Sequence, residues 1–85
     1  MPLYYLHISD GAGFVEDEEG QQLADDEAAR AQAIAAARDI MAAELREGAL
    51  DLGTFIEVEN EKREWLFTIT FAEAVTIREP AKETE

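Results

Sequence analysis

The sequence predicts an α+β fold with two layers, in which one long helix packs on an antiparallel sheet of about four strands, in the order β-β-α-β-β. Three observations support this prediction. Apolar and polar residues alternate near both ends, glycine-containing or polar turns divide these stretches into pairs, and an uninterrupted alanine-rich segment lies between them. We expect one domain over residues 1–78, followed by a flexible acidic tail over residues 79–85.

The first pair of strands begins with residues 3–8, which alternate between two faces. One face carries Tyr4, Leu6 and Ile8, and the other carries Leu3, Tyr5 and His7. Residues 10–13 contain two glycines, as a tight reversal requires, and Phe14 and Val15 begin the second strand. Residues 21–23 fit either a short returning strand or an extended approach to the helix.

The central segment predicts a helix from Asp26 to about Glu47, because it has no glycine or proline and alanine occupies nine positions. Asp25 or Asp26 can accept the free N–H groups of the first turn, and Gly48 is the expected left-handed residue that ends the helix.

The helix has one continuous apolar stripe, which we expect to face the sheet. The stripe consists of Ala29, Ala33, Ala36, Ala37, Ile40 and Met41, widened by Ile34 and Leu45. The opposite side carries Ala31, Ala35, Asp39, Ala42 and Arg46. This outer side is less polar than a solvated helix face usually is, so a partner could cover it.

The second pair of strands consists of residues 54–59 and 64–71, joined by the polar residues 60–63. Ile56 and Val58 point toward the core in the first of these strands. Trp65, Phe67, Ile69 and Phe71 share one face of the second, which we expect to be central in the sheet. Residues 72–75 can add one helical turn. A single helix covers only one face of the sheet, so we expect Tyr5, His7, Phe55 and Leu66 on an open face.

The charge balance limits the classes of partner. Twenty acidic and seven basic residues give a formal net charge of −13, which repels phosphate, so we expect no binding of nucleic acid or anionic membranes. The same charge favours a basic protein or a cation. The chain has no cysteine, and its N-terminal apolar run is too short for a secretion leader or a membrane helix, so we expect a cytoplasmic protein.

Few residues could carry chemistry. His7 is the sole histidine and lies two positions from Ser9, but side chains two apart on a strand diverge, and we interpret His7 as a half-exposed strand residue. Asp10 and residues 16–19 could offer oxygen ligands to Ca²⁺ or Mg²⁺, although their spacing does not fit an EF-hand loop. We therefore assign no catalytic, cofactor-binding or metal-binding residue.

Four sequence features together resemble a family of short bacterial proteins of unknown function. They are Met-Pro-x-Tyr-Tyr followed by Asp10-Gly11, Asp17-x-Glu19-Gly20-x-x-Leu23, Ala-Ala-Arg-Ala at residues 28–31, and Phe-Ala-Glu-Ala at residues 71–74. The resemblance covers Met1 to about Val75 and implies a fold but no activity. The element order also resembles the N-terminal domain of HicB-type antitoxins. However, the Pro-Asp-Leu-Pro-Gly turn of those proteins is missing at residues 21–24, and no DNA-binding segment follows Phe71.

These features predict a non-enzymatic interaction module that forms a homodimer, through the open face or an edge strand, or binds a basic protein. Three alternatives stay open: an antitoxin-like protein that neutralises a basic partner, a small enzyme or ligand binder using His7, and a cation-binding protein.

Overall fold

Five strands and two helices follow one another along the part of the chain that the structure describes. The computed structural model describes residues 1–10 and 12–81, so Gly11 of the predicted first turn and residues 82–85 of the predicted tail lie outside the described residues. The elements are β1 (Leu3–Ser9), β2 (Phe14–Val15), β3 (Gln21–Gln22), α1 (Asp26–Arg46), β4 (Phe55–Glu59), β5 (Trp65–Thr70) and α2 (Phe71–Ala74). The predicted α+β fold with one long helix and an antiparallel sheet is confirmed.

The sheet has five strands because the segment after the acidic turn does form a returning strand. The strand order is β2-β1-β4-β5, and β3 pairs with β1 beside β2. All pairs are antiparallel. The prediction that residues 64–71 form a central strand is wrong, because β5 lies at the edge. Ile69 is completely buried and Phe67 is partly buried on the side of the sheet that faces the helices, and this does not require a neighbouring strand on each side of β5.

Helix α1 begins and ends close to the predicted residues. Asp25 accepts a hydrogen bond from the backbone N–H of Ala28 (2.8 Å), and Gly48 follows the helix with a φ of +87°. The predicted stripe is confirmed in its centre, where Ala29, Ala33, Ala37 and Met41 are buried. The prediction for Leu45 is wrong, since 60% of this residue is exposed. Twenty-one residues extend roughly 30 Å, which is longer than the strands beneath, so the last turn lies beyond the sheet.

The core lies between α1 and the central strands. Its largest completely buried side chains are Phe71, Ile56, Ile69 and Val58. The alanines of α1 let the helix approach the sheet closely, and Tyr4 fills the space near the start of the helix. The Tyr4 hydroxyl donates a 2.7 Å hydrogen bond to Asp26 Oδ1. This bond, together with burial, raises the pKa of Tyr4 from 10 to about 12.

The predicted helical turn after β5 forms as α2 and is fixed at both ends. Thr70 and Glu73 form a capping box, in which the Glu73 carboxylate accepts bonds from the Thr70 N–H and hydroxyl. These bonds hold the pKa of Glu73 below its ordinary value. Arg38 of α1 donates a 2.7 Å bond to the Ala74 carbonyl. Neither helix of the described residues is long and apolar enough to cross a bilayer.

Candidate functional site

The sheet face opposite α1 is the surface on which the chain brings polar and aromatic side chains together. Strand register places three rows of paired residues on this face, because directly paired residues point to the same side. The rows across β1, β4 and β5 are Ser9–Phe55–Thr70, His7–Glu57–Thr68 and Tyr5–Glu59–Trp65. We refer to these nine residues as the open face.

Side chains of the chain itself cover the β1 column of the open face. The ring of Phe14, from β2, lies 5.6 Å from the His7 ring, and Tyr5 stacks on the other side at 6.4 Å. His7 is therefore only 4% exposed. The interpretation of His7 as half-exposed is wrong. The alternation along β1 does not show that Phe14 of β2 covers the His7 ring.

Both ring nitrogens of His7 have partners. The backbone N–H of Asp17 donates to Nδ1 at 3.0 Å, so the ring proton lies on Nε2, which donates to Glu59 Oε1 at 2.9 Å. A general base needs a free lone pair within reach of a nucleophile. The lone pair of Nδ1 already accepts the hydrogen bond from the Asp17 N–H. Among the described residues, Ser9 forms no hydrogen bond with this ring. The structure therefore does not bring the two predicted candidates together.

Asp17, one of the acidic residues that could have offered oxygen ligands to a cation, has a structural role. Its Oδ2 accepts from the Leu6 N–H at 3.1 Å and its Oδ1 from the Gly20 N–H at 3.0 Å. Leu6 lies between the part of β1 that pairs with β2 and the part that pairs with β3, so the carboxylate replaces a missing strand partner. The Asp-x-x-Gly spacing of residues 17–20 is a sequence signal for this structural role, since a short acidic side chain often accepts a hydrogen bond from a nearby N–H in a turn.

Asp10 and Glu16 also have separate partners, whereas Glu18 and Glu19 are exposed. Asp10 Oδ1 accepts from the N–H groups of Ala12 (3.0 Å) and Gly13 (2.6 Å). Glu16 pairs with Arg63 at 3.5 Å. Within residues 1–10 and 12–81, no three acidic or histidine side chains come close enough to hold a metal ion.

Arg63 adopts a backbone conformation that arginine rarely uses. It has a φ of +66° at the end of the turn that joins β4 to β5, a position that usually favours glycine. This conformation places the guanidinium 3.6 Å from the centre of the Tyr5 ring and 4.0 Å from Glu59 Oε1. In the sequence Lys62 and Arg63 belong to the polar connection of residues 60–63, and no sequence signal indicated that Arg63 covers Tyr5 on the open face.

The described residues cover less of the β4 and β5 columns of the open face, apart from Glu59, which pairs with His7 and Arg63 and is 26% exposed. We call these six residues the open strip: Phe55, Glu57, Glu59, Trp65, Thr68 and Thr70. Glu57 has no hydrogen bond or ion pair with any described residue. Of the residues that we expected on the open face, Tyr5 and Phe55 lie there and are partly exposed. Leu66 is also partly exposed, but it has no partner in these rows and packs against the core.

Trp65 belongs to the open strip because of an irregularity in β5. Val58 pairs with Phe67 but Glu59 pairs with Trp65, so β5 contains one extra residue between these pairs. The prediction that Trp65 shares a face with Phe67 is therefore wrong. Trp65 is 62% exposed, and its indole N–H donates to the Thr68 hydroxyl at 3.0 Å. This bond holds the indole beside the row that contains Glu57.

The described residues enclose no pocket, so the open strip is a surface and not a cleft. A flat strip of aromatic and acidic side chains can contact a protein, whereas it cannot surround a small molecule.

Comparison with known proteins gives a family and no activity. Searches of curated proteins and of solved structures find no significant match. Residues 3–72 match a family described as Domain of unknown function (DUF6894). The match covers the whole sheet, α1 and the start of α2, and it agrees with the resemblance carried by the four sequence features. The chain therefore belongs to the DUF6894 family.

Proposed function

We propose that this protein is a non-enzymatic protein-interaction module that binds a basic partner protein through the open strip. The observation that carries the proposal is Glu57, which has no hydrogen bond or ion pair with any described residue, beside the exposed Trp65 on the open strip. Tryptophan is enriched among the residues that dominate interface energies.

Charge supports a basic partner over a second copy of the chain. The net charge of −13 gives two copies a strong mutual repulsion, and the open strip itself carries glutamates but no cation. A positively charged surface would be attracted at long range and could pair with Glu57 on contact. A homodimer through the same face is the competing arrangement.

The chemistry of the open face supports a role in binding over a role in catalysis. His7 is buried with both nitrogens engaged, and its covering residues leave no space for a substrate beside it. Antitoxin-like neutralisation of a basic nuclease is a special case of the proposed function. The cysteine-free composition fits a reducing compartment, and we propose the cytoplasm.

Size-exclusion chromatography with light scattering and a pulldown test the proposal together. We expect the mass of one chain in solution. We expect immobilised protein to capture a basic protein from a cell extract at about 50 mM NaCl and to lose most of it at about 500 mM, because salt screens exposed charge pairs.

Two matched variants show whether the capture uses the open strip. Glu57→Gln removes the unpaired charge, whereas Glu47→Gln removes an exposed charge at the end of α1. We expect capture to fall with the first change and to persist with the second. Equal capture by both variants, or a stable dimer that buries Trp65, would contradict the proposed function.

A further inference from the structure

The open face already contains one site where a guanidinium is bound. Arg63 lies over the Tyr5 ring at 3.6 Å, with Glu59 and Glu16 at 4.0 and 3.5 Å. An aromatic face attracts a cation, and an adjacent carboxylate adds a charge-assisted interaction. Arg63 makes this contact from a turn position where its backbone has a left-handed φ of +66°.

The neighbouring columns repeat this chemistry without a cation of their own. Trp65 offers a larger aromatic face than tyrosine, and Glu57 is a carboxylate with no partner among the described residues. The bond from the indole N–H to Thr68 brings the two together, since Thr68 is directly paired with Glu57. Phe55 closes the other end of the β4 column, next to Glu57 on the same face.

From this repetition we infer that the open strip binds an arginine side chain of the partner, with its guanidinium between the Glu57 carboxylate and the face of the Trp65 indole. The inference rests on the proposed function and names the chemical group that is recognised. Arginine fits better than lysine, because its planar guanidinium stacks on aromatic rings and forms paired hydrogen bonds with a carboxylate.

The edge of β5 favours contact through side chains over the addition of a partner strand. At one end the extra residue between Trp65 and Phe67 disrupts the regular ladder. At the other end the Glu73 carboxylate occupies the Thr70 N–H at 2.9 Å. Bulges and short regular edges are features that prevent strands from pairing with another chain. A partner therefore gains little from backbone pairing here and docks on the open face.

The sole tryptophan of the chain makes the test direct, because its fluorescence reports on the proposed site. The probes are three peptides, acetyl-(Gly-Arg)₃-Gly-amide and the same peptide with lysine or with citrulline in place of arginine. Citrulline keeps the shape of arginine and removes its charge. At about 20 mM NaCl we expect the arginine peptide to change Trp65 emission, the lysine peptide to bind more weakly and the citrulline peptide to bind on the order of tenfold more weakly.

Variants and a chemical-shift map locate the binding. We expect Glu57→Gln to weaken the arginine peptide on the order of tenfold and the matched control Glu47→Gln to change it by less than about twofold. In unaltered ¹⁵N-labelled protein, shifts should be largest at Glu57, Thr68 and the Trp65 indole N–H. This map needs no variant, so it decides the matter even if Glu57→Gln is poorly folded.

Several results would overturn the inference. They are equal binding of the arginine and citrulline peptides, no binding of any peptide, equal effects of the two glutamate variants, and shifts confined to residues 16–19. A partner captured through Glu57 that binds equally well after its arginines are changed to lysine would overturn the inference while leaving the proposed function intact.

Discussion

At the scale of single residues, Gly20 is a position where an added side chain would meet both backbone strain and close neighbours. It has a φ of +76°, and an added Cβ would lie 3.0 Å from Leu3 Cγ, from the Tyr4 carbonyl oxygen and from Tyr5 Cε1. Backbone strain and overpacking both oppose a side chain here. We expect Gly20→Ala to lower the free energy of unfolding by about 2–4 kcal/mol, measured by urea denaturation.

Gly48 supplies the matched control for this prediction. Its φ is +87°, but an added Cβ would meet nothing within 4 Å. Gly48→Ala should therefore show the backbone effect alone, about 1 kcal/mol. Equal losses in the two variants would mean that the contacts around Gly20 relax without cost.

The raised pKa of Tyr4 predicts how the stability of the protein changes at alkaline pH. Its hydroxyl must stay protonated to donate to Asp26, and its pKa is raised from 10 to about 12. Because the folded pKa is the higher one, the stabilising contribution is complete below pH 10 and is lost as the pH rises through 12. In a Tyr5→Phe variant, phenolate absorbance reports Tyr4 alone and should titrate near pH 12 when the protein is folded and near pH 10 in urea.

Asp26→Asn is the control for the alkaline titration. It removes the negative charge that holds the phenol proton while keeping a side chain of similar shape. We expect the ionisation of Tyr4 to move toward its ordinary pH. An unchanged titration would show that burial, and not the Asp26 carboxylate, raises the pKa.

At the scale of elements, Asp17 connects the two short strands to β1. Removing its carboxylate leaves the Leu6 and Gly20 N–H groups without their partner. We expect Asp17→Ala to lower the free energy of unfolding by about 1–3 kcal/mol, and Glu18→Ala, at the exposed neighbouring position, by less than about 0.5 kcal/mol. Faster amide exchange at Leu6 in the first variant would locate the loss. Similar values for both variants would contradict this role.

The elements that could be predicted are those whose signals are local. Capping at Asp25, the run of alanines and Gly48 define α1 without reference to the rest of the chain. Strand order has no such signal: the apolar alternation of β5 records what lies above the sheet and not which strands lie beside it. The last turn of α1 shows the same limit, since Leu45 continues the stripe beyond the end of the sheet and is exposed.

The site was harder to predict than the fold because it depends on register. One extra residue in β5 moves Trp65 to the opposite face, and the alternation of apolar and polar residues does not reveal this extra residue. The burial of His7 depends on Phe14, and the cover over Tyr5 depends on the unusual φ of Arg63. Each is a contact between segments that are distant in sequence. The open face as a whole was predictable, since one helix cannot cover both sides of a sheet.

At the scale of the whole molecule, the net charge of −13 should oppose folding. Acidic side chains surround a small core, and their mutual repulsion is relieved when the chain unfolds. Raising NaCl from about 10 to 150 mM shortens the screening length from roughly 30 to 8 Å. We therefore expect the melting temperature to rise over this range and to change little beyond it, as measured by circular dichroism.

A variant with fewer charges separates repulsion from other effects of salt. Changing the exposed Glu18, Glu19, Glu47 and Glu79 to glutamine moves the net charge from −13 to −9 (−13 + 4) and disturbs none of the hydrogen bonds or ion pairs described above. We expect a higher melting temperature at low salt and a shallower salt dependence. If the melting temperature of the variant responds to NaCl as steeply as that of the unaltered protein, long-range repulsion does not limit the stability of this fold. The attraction that we propose for a basic partner would then need a more local origin, at Glu57 itself.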